Sequence, residues 1–356
     1  MKLLEQTIAK IEPQSQEFRK QAEEHILDLT MPRWALGRVL DLAVDLVGMT
    51  RSMSPPVKQK NIVLMAGDHG IIEEGVSEQP QDVTMQMVYN FIGGGAGINV
   101  LADNAGASVT VVDMGINNSV QDLVDAGKII DKKIAYGTKN FAKGPAMTRE
   151  QAIASIEAGI EVAYELSPCT DIFGTGEMGI CNTSPSSAII AVLTGIDEVS
   201  DVVDRGAGLP IAKLPRKAAA IKKGIEINQP DPNDGIDVLA KVGGFEIGGI
   251  AGLILGAAAL KKPVMVDGFI STAGALIANA LCPEAKEYMI AAHGSMEKGH
   301  RPMLEILGKK PLLDLNLRLG EGTGAALAMN IVDAAVAVMN NMATFSKAGV
   351  TEVGIK

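Results

Sequence analysis

The chain has 356 residues and an acidic balance, with 32 Lys and Arg against 42 Asp and Glu and a net charge of −10. A general nucleic-acid binder needs a basic surface, so this balance argues against that class without excluding a local basic patch. Hydrophobic residues make up 47%, which excludes a disordered chain. Glycine is frequent, at 39 residues, and aromatics make up only 3%. This composition favours an enzyme that holds a small polar ligand with its backbone over an aromatic-lined binding module.

The cysteines and histidines argue against a disulfide framework or a metal site. Cys169, Cys181 and Cys282 form an odd, sparse set, and the four histidines show no metal-binding spacing. The N-terminal residues are charged throughout, so we predict no signal peptide. The most apolar run, residues 248–260, is too short to cross a hydrocarbon layer of about 30 Å. We therefore expect a soluble, cytoplasmic protein.

The hydrophobic pattern predicts helices and short buried strands in alternation. Two helices are expected first, over residues 14–29 and 34–47. Four short apolar runs follow, each ending at glycine and a polar residue, over residues 62–66, 108–112, 170–173 and 264–266. Helical patterns lie between or after them, over residues 83–102, 148–166, 185–193, 271–281, 303–307 and about 323–345. Thr148 and Gln151 form a capping box at one of these starts.

Strands that alternate with helices indicate a parallel sheet with covered faces. Ligands of such sheets bind at the carboxyl ends of the strands, which is where the glycine-rich motifs lie. The natural division is a large α/β body over residues 33–302. Residues 1–32 and 303–356, from the two chain ends, are expected to form a small helical domain.

The segment 174–179 matches the dinucleotide fingerprint G-x-G-x-x-G, with Asp197 near the usual ribose-binding offset. The charge of Glu177 inside the loop opposes a pyrophosphate, and Asn182 and Thr183 suggest a later helix start. A backbone site for a single phosphate, with Glu177 accepting from ribose hydroxyls, fits better. An NAD-dependent oxidoreductase is kept as the alternative.

Three further motifs have both a functional and a structural interpretation. Glycines at 206 and 208 precede Lys217, which fits either phosphate binding or a solvated turn. Glu321 stands between glycines before an apolar helix, so it is either a general base or an acid that meets the helix dipole. His69 and His293 lie in site-like segments, but a lone histidine is more often structural. The glycines of 93–97 are expected to permit close helix packing.

Together these motifs resemble the nicotinate-nucleotide–dimethylbenzimidazole phosphoribosyltransferase family. The matching segments run in order from about residue 33 onward and include GDHGIIEEGVSEQPQDVTMQMVYNFIGGGAGINVLA, DIFGTGEMGICNTSPSSAI, RGAGL, VGGFEIGGIAGLILGAA, VDGFISTAGALIA, HGSMEKGH and LDLNLRLGEGTGAALAM. The resemblance implies a Rossmann-like parallel sheet flanked by helices, a small helical domain from both chain ends, and a homodimer, with a paralogue heterodimer or a non-catalytic subunit left open. It implies transfer of the 5-phosphoribosyl group of nicotinate mononucleotide to 5,6-dimethylbenzimidazole or a related base, without metal or cofactor.

The resemblance also implies the site residues. Glu321 becomes the general base and Glu177 the second carboxylate. The remaining residues fall into three groups: Gly176, Met178, Gly179, Lys217 and Ser295 for phosphate and ribose; Asp267, Gly268, Phe269 and Ser271 for nicotinate; and Ser77, Gln86 and Leu319 for the incoming base. The chain departs from the family pattern at Cys181, where glycine is commoner, and at 78–79, which often carries an aromatic. Both departures lie near the implied base pocket, so the sequence leaves open which aromatic base is preferred.

Overall fold

The structure, a computed structural model, describes residues 1–351 and contains a six-stranded, fully parallel sheet. Its strands are β1 (Lys60–Gly67), β2 (Ala107–Gly115), β3 (Ile130–Asp131), β4 (Ile172–Met178), β5 (Val264–Val266) and β6 (Met289–Ala291). They lie in the order β3-β2-β1-β4-β5-β6. Two further strands, β7 (His293–Ser295) and β8 (Leu313–Leu317), pair in parallel as a small second sheet. This order, which reverses direction beside β1, is that of a Rossmann-type sheet, so the predicted fold class is confirmed.

Helices cover the sheet on both faces and extend at both chain ends. They are α1 (Lys2–Ile8), α2 (Gln16–Leu27), α3 (Arg38–Thr50), α4 (Asp82–Gly93), α5 (Gly97–Asn104), α6 (Gln121–Asp125), α7 (Arg149–Leu166), α8 (Thr183–Thr194), α9 (Leu214–Asn228), α10 (Gly235–Val242), α11 (Phe245–Ala259), α12 (Phe269–Leu281), α13 (His300–Leu307), α14 (Thr323–Asn341) and α15 (Phe345–Ala348).

The core is centred on β1 and α11, which are buried along almost their whole lengths. Helix α11 can lie this deep because glycines bring its backbone close to α7. A Cβ on Gly252 would stand 1.9 Å from the carbonyl oxygen of Ile156, and one on Gly159 would stand 2.0 Å from that of Gly249. The glycine-rich, apolar sequence of α11 therefore encodes a close helix pair on the sheet. The capping box at the start of α7 forms as predicted.

The third predicted strand is displaced towards the carboxyl end of the chain. Strand β4 begins at Ile172 and runs to Met178, because it pairs with β1 through Met178 and with β5 at its start. Gly174 and Gly176 therefore lie inside the strand and not in a turn before a helix. A dinucleotide fingerprint needs its glycines in that turn, so the basis of the NAD interpretation is lost.

The helix predicted over residues 83–102 is broken into α4 and α5. Gly94, with φ of +77°, ends α4 in the left-handed conformation that glycine favours. A Cβ on Gly97 would stand 2.9 Å from Leu319 and 3.8 Å from Thr323 at the start of α14, so the predicted close packing is confirmed at Gly97. A Cβ on Gly93 or Gly94 would meet no atom within 4 Å, so the prediction is wrong for these two glycines. They form a turn that directs the start of α5 towards the strand ends.

The two chain ends meet in space. The Thr30 amide donates to the Ala343 carbonyl at 3.0 Å, and a ring nitrogen of His25 lies 3.0 Å from the Met339 carbonyl. Helix α3 packs against both α2 and α14, whereas α1 packs against α7 and α11. The division into two domains stays a prediction, and its last residues, 352–356, lie outside the described chain.

Helix α14 is long and apolar enough to span a bilayer by length and composition. More than half of its most apolar stretch is buried inside the protein, where it packs against α3, α5, β4 and β5. Such burial is typical of the core helix of a globular protein.

Candidate active site

A cleft with about 690 Å³ of empty space opens at the carboxyl ends of β4 and β5. This is the edge at which parallel α/β sheets bind ligands. Five separate chain segments form its walls. They contribute residues 177–180 and 182–183, residues 206–207, residues 268–270, residues 293, 295 and 297, and residues 318–321.

Three helices begin beside this cleft. Helix α8 begins after Asn182, α12 after Gly268 and α14 after Gly322. A helix N-terminus presents unpaired amide groups and a partial positive charge, so it favours an anion. The cleft is therefore suited to a ligand that carries more than one negative group.

The predicted general base, Glu321, lies in an unusual backbone segment. Gly320, Glu321 and Gly322 have φ values of +80°, +62° and +90°. Positive φ is uncommon for a residue other than glycine and often marks a functional site. The side chain is buried at 7% exposure, and its Oε2 accepts from the Ile98 amide at 3.3 Å. The turn thus holds one carboxylate in the wall of the cleft.

Asp267, not Glu321, binds the start of α14. The Asp267 carboxylate accepts from the Gly322 amide at 3.2 Å and from the Ala325 amide at 2.9 Å. This side chain is 1% exposed. Asp267 satisfies the start of α14, so Glu321 is not needed there, but the Ile98 amide that Glu321 accepts from lies in the first turn of α5. Both interpretations of Glu321, as a general base and as an acid at a helix start, therefore stay predictions.

Glu177 lies beside Glu321 in the cleft wall and is 5% exposed. Its Oε2 accepts from the Asn182 side chain, and its Oε1 accepts from the Glu321 amide at 3.3 Å. Burial, with a smaller contribution from the nearby charge of Asp267, raises the pKa of Glu177 to about 8. Burial also raises the pKa of Glu321, with Asp267 adding to it. Carboxyl groups whose pKa values move towards neutrality suit proton transfer at physiological pH.

Ser295 is fixed on the opposite wall by a neutral histidine. The Ser295 amide donates to Nδ1 of His300 at 2.8 Å, and Nε2 of His300 lies 3.0 Å from the Thr272 hydroxyl. Burial lowers the pKa of His300 to about 3, with repulsion from His293 adding to it, so the ring remains uncharged. His293 also lines the cleft, and its Nε2 lies 3.7 Å from Oδ1 of Asp267.

Lys217 approaches the cleft from α9 with a buried ammonium group. The side chain is 1% exposed, and Nζ donates to Oγ1 of Thr183 at 2.7 Å and to the Asp204 carbonyl at 2.9 Å. It lines a smaller second cleft that shares Thr183 with the first. Lys217 therefore lies directly behind the start of α8.

The residues assigned to the incoming base are not brought together. Leu319 lines the main cleft beside Glu321, whereas Ser77 lines the second cleft with Lys217. Gln86 is exposed on α4 and lines neither of these two clefts in the described chain. Cys181 also lines the second cleft and has φ of +78°, which explains why glycine suits this position.

Other predicted residues divide into those that line the main cleft and those that lie beneath it. Met178, Gly179, Gly268 and Phe269 line it. Gly176 lies beneath Glu321, where a Cβ would stand 2.7 Å from the Glu321 carbonyl oxygen, so no larger residue fits. Ser271 is buried in α12, and its hydroxyl has no partner within residues 1–351.

Sequence reasoning missed three polar residues of the cleft. Asn182 directly precedes α8, which confirms the predicted helix start, and its side chain donates to Glu177 instead of capping the helix. Glu297 and Arg318 were quoted only within longer motifs, and both line the cleft. The only sequence signal for Glu297 is its position two residues after Ser295, which is the last residue of the HGS segment.

His69 has a buried partner behind the site. Its Nε2 lies 2.7 Å from Oε1 of Glu246, and both side chains are almost fully enclosed. A Cβ on Gly179 would stand 3.2 Å from this ring, so the pair underlies the Gly179 loop. Within residues 1–351, no group of three or more His, Cys, Asp or Glu side chains is arranged to hold a metal ion.

The sheet order and the cleft define an α/β protein with a candidate small-molecule site at the carboxyl edge of a Rossmann-type sheet. A family model described as phosphoribosyltransferase matches residues 11–350. Similar proteins named nicotinate-nucleotide–dimethylbenzimidazole phosphoribosyltransferase occur in Syntrophotalea carbinolica, at 58% identity over 99% of both chains, and in Desulfotalea psychrophila, at 56% identity over 99% of both chains.

Solved structures agree with these sequence relatives. A protein of that name from Thermus thermophilus has a TM-score of 0.88 and 38% identity, over 95% of this chain and 99% of that one. A structure named CobT from the same organism has a TM-score of 0.90 and 40% identity, over 94% and 99%. The chain belongs to the nicotinate-nucleotide–dimethylbenzimidazole phosphoribosyltransferase family, which confirms the resemblance seen in the sequence.

Proposed function

We propose that this chain transfers the 5-phosphoribosyl group of nicotinate mononucleotide to 5,6-dimethylbenzimidazole or a related aromatic base. The bond from the anomeric carbon to the pyridinium nitrogen breaks, and nicotinate leaves with the bonding electrons. A neutral ring nitrogen of the incoming base forms the new bond. The N–H proton on the other ring nitrogen of the base must then be lost, and the products are α-ribazole 5′-phosphate and nicotinate.

The observation that carries the proposal is the Glu321 carboxylate, held in the cleft wall by a left-handed turn, while Asp267 and not Glu321 binds the start of α14. A carboxylate there can accept the proton released by the attacking base. Its raised pKa brings its basicity closer to that needed near neutral pH. In this role Glu321 is the general base.

The remaining charges of the cleft fit the substrates. Departure of nicotinate leaves positive charge on the sugar, which nearby carboxylates such as Glu177 stabilise when ionised. The 5′-phosphate fits the start of α8 with Ser295 and Lys217, and the nicotinate carboxylate fits the start of α12 at Gly268 and Phe269. Asp267 and Ser271 lie beneath the part of the cleft that is proposed to bind nicotinate. Holding both reactants in line supplies much of the remaining rate.

We propose that the enzyme works as a homodimer in the cytoplasm, with the two substrates as its only ligands and without nucleic acid or membrane. The acidic net charge of −10 supports the absence of a nucleic-acid partner. Light scattering of the purified chain measures the dimer directly. A monomeric mass would refute it.

Turnover by the purified chain tests the function. Nicotinate mononucleotide is incubated with 5,6-dimethylbenzimidazole, adenine or phenol, and the products are separated and identified by mass spectrometry. We expect nicotinate and one ribotide product in equal amounts, with a benzimidazole preferred. No turnover with any base would indicate a non-catalytic subunit. Tight NAD binding without turnover would favour the oxidoreductase.

A further inference from the structure

Glu297 is a buried carboxylate in the cleft wall that the proposed mechanism does not use. Its Oε1 accepts from the Gly206 amide at 3.0 Å, whereas Oε2 is buried and has no partner within residues 1–351. The side chain is 8% exposed, and Ser295, two residues earlier, lines the same cleft. The chain thus places an acid beside the groups that are expected to bind the phosphate.

Charged groups of both signs surround this carboxylate. Lys217 on α9 and Arg318 at the end of β8 favour its ionised form, while Asp204 in the loop before α9 opposes it. His300, at the start of α13, donates its backbone amide to the Glu297 carbonyl and is itself neutral. Burial is the largest influence and raises the pKa of Glu297.

We infer that Glu297 takes up a proton when the 5′-phosphate of the nucleotide binds. This inference rests on the proposed function, because that function places a phosphate beside Lys217 and Ser295. A phosphate dianion in this wall repels the Glu297 carboxylate and competes with it for Lys217. Protonation removes the repulsion, and the new hydroxyl of Glu297 can donate a hydrogen bond from the oxygen that otherwise has no partner.

The coupling between proton uptake and nucleotide binding gives the direction in which affinity changes with pH. Because binding consumes a proton, nucleotide affinity falls as pH rises from the pKa of Glu297 in the free enzyme to its higher pKa in the complex. At a pH above both values, each unit of difference between the two pKa values weakens nucleotide binding by up to about tenfold. Glu297→Gln stays neutral at every pH, so this variant is expected to bind the nucleotide more tightly than the wild type at pH 8.

Calorimetry at pH 7.5, in buffers of different ionisation enthalpy, counts the protons taken up on binding. At this pH a phosphate monoester, with a second pKa of about 6, is already ionised. We expect proton uptake by the wild type with nicotinate mononucleotide, and none with nicotinate riboside, which lacks the phosphate. Glu297→Gln should abolish the uptake. Glu305→Gln, an exposed acid on α13, is the matched control and should retain it.

Three outcomes would overturn the inference. The wild type could bind the nucleotide with no proton uptake. The uptake could persist in Glu297→Gln, which would assign the proton to another group such as Lys217. The Gln variant could also lose affinity equally at all pH values, which would make Glu297 an acceptor for a ribose hydroxyl. Failure of the proposed function is distinguishable, because the wild type would then not turn over the nucleotide at all.

Discussion

At the scale of single residues, the positions around Glu321 tolerate few substitutions. Its left-handed backbone is flanked by Gly320 and Gly322, and Gly176 beneath it leaves no room for a Cβ. The backbone strain costs of order 1–3 kcal/mol, so the surrounding contacts must maintain it.

Glu321→Gln keeps the shape and polarity of this side chain but cannot accept a proton. We expect kcat to fall by about 10²–10⁴-fold, while nucleotide binding and the melting temperature change little. Steady-state kinetics with several bases provide the measurement. The loss should be smaller for a base that is already ionised at the assay pH. An equal loss for ionised and neutral bases would show that Glu321 is not the general base.

Glu177 links proton binding to stability. In the folded chain its pKa is raised from 4.5 to about 8, so between these pH values the folded state holds a proton that the unfolded state has released. The free energy of unfolding therefore falls as pH rises from about 4.5 to 8. Thermal unfolding of the free enzyme at pH 5 and pH 8 should show a smaller decline in Glu177→Gln than in the wild type. Identical declines would contradict the raised pKa.

Lys217 is expected to contribute to binding more than to chemistry, because a phosphate remote from the reacting carbon is held similarly in the ground and transition states. Lys217→Met preserves the buried stem and should raise KM for the nucleotide with less effect on kcat. Lys213→Met, at an exposed lysine paired with Glu78, is the control and should leave KM unchanged. An unchanged KM in Lys217→Met would refute the assignment.

At the scale of elements, the sequence predicts best where one local signal dominates. The capping box of Thr148 and Gln151 predicts the start of α7, and the apolar run before Gly67 predicts β1. Strand β4 could not be delimited, because Gly174 and Gly176 are weak strand formers that only the pairing with β1 and β5 holds extended. Strand pairing across distant segments is not visible in local composition.

The close contact of α7 and α11 gives a prediction at this scale. Gly252→Ala forces a Cβ against the Ile156 carbonyl and should destabilise the protein by about 1–3 kcal/mol or more. Gly93→Ala, whose Cβ would meet open space at the end of α4, should be neutral or slightly stabilising. Urea unfolding of both variants makes the comparison. Equal stability would contradict the close packing of the two helices.

At the scale of the whole molecule, the cleft depends on segments that lie far apart in the sequence. Residues after β4 and after β5 meet at one edge because parallel strands of one sheet end together there, and the residues after β8 join them from the small second sheet. The motifs around Glu177, Asp267 and Glu321 were individually visible in the sequence. Their mutual contacts were not, because the Asp267 bond to the start of α14 spans 58 residues of chain.

A crystal structure with α-ribazole 5′-phosphate and nicotinate bound tests the central claim most directly. We expect the free ring nitrogen of the product within hydrogen-bond distance of the Glu321 carboxylate, and the phosphate between the start of α8 and Ser295. The nicotinate carboxylate is predicted at the start of α12. A product bound away from this cleft, or a Glu321 carboxylate without contact to the base, would contradict it.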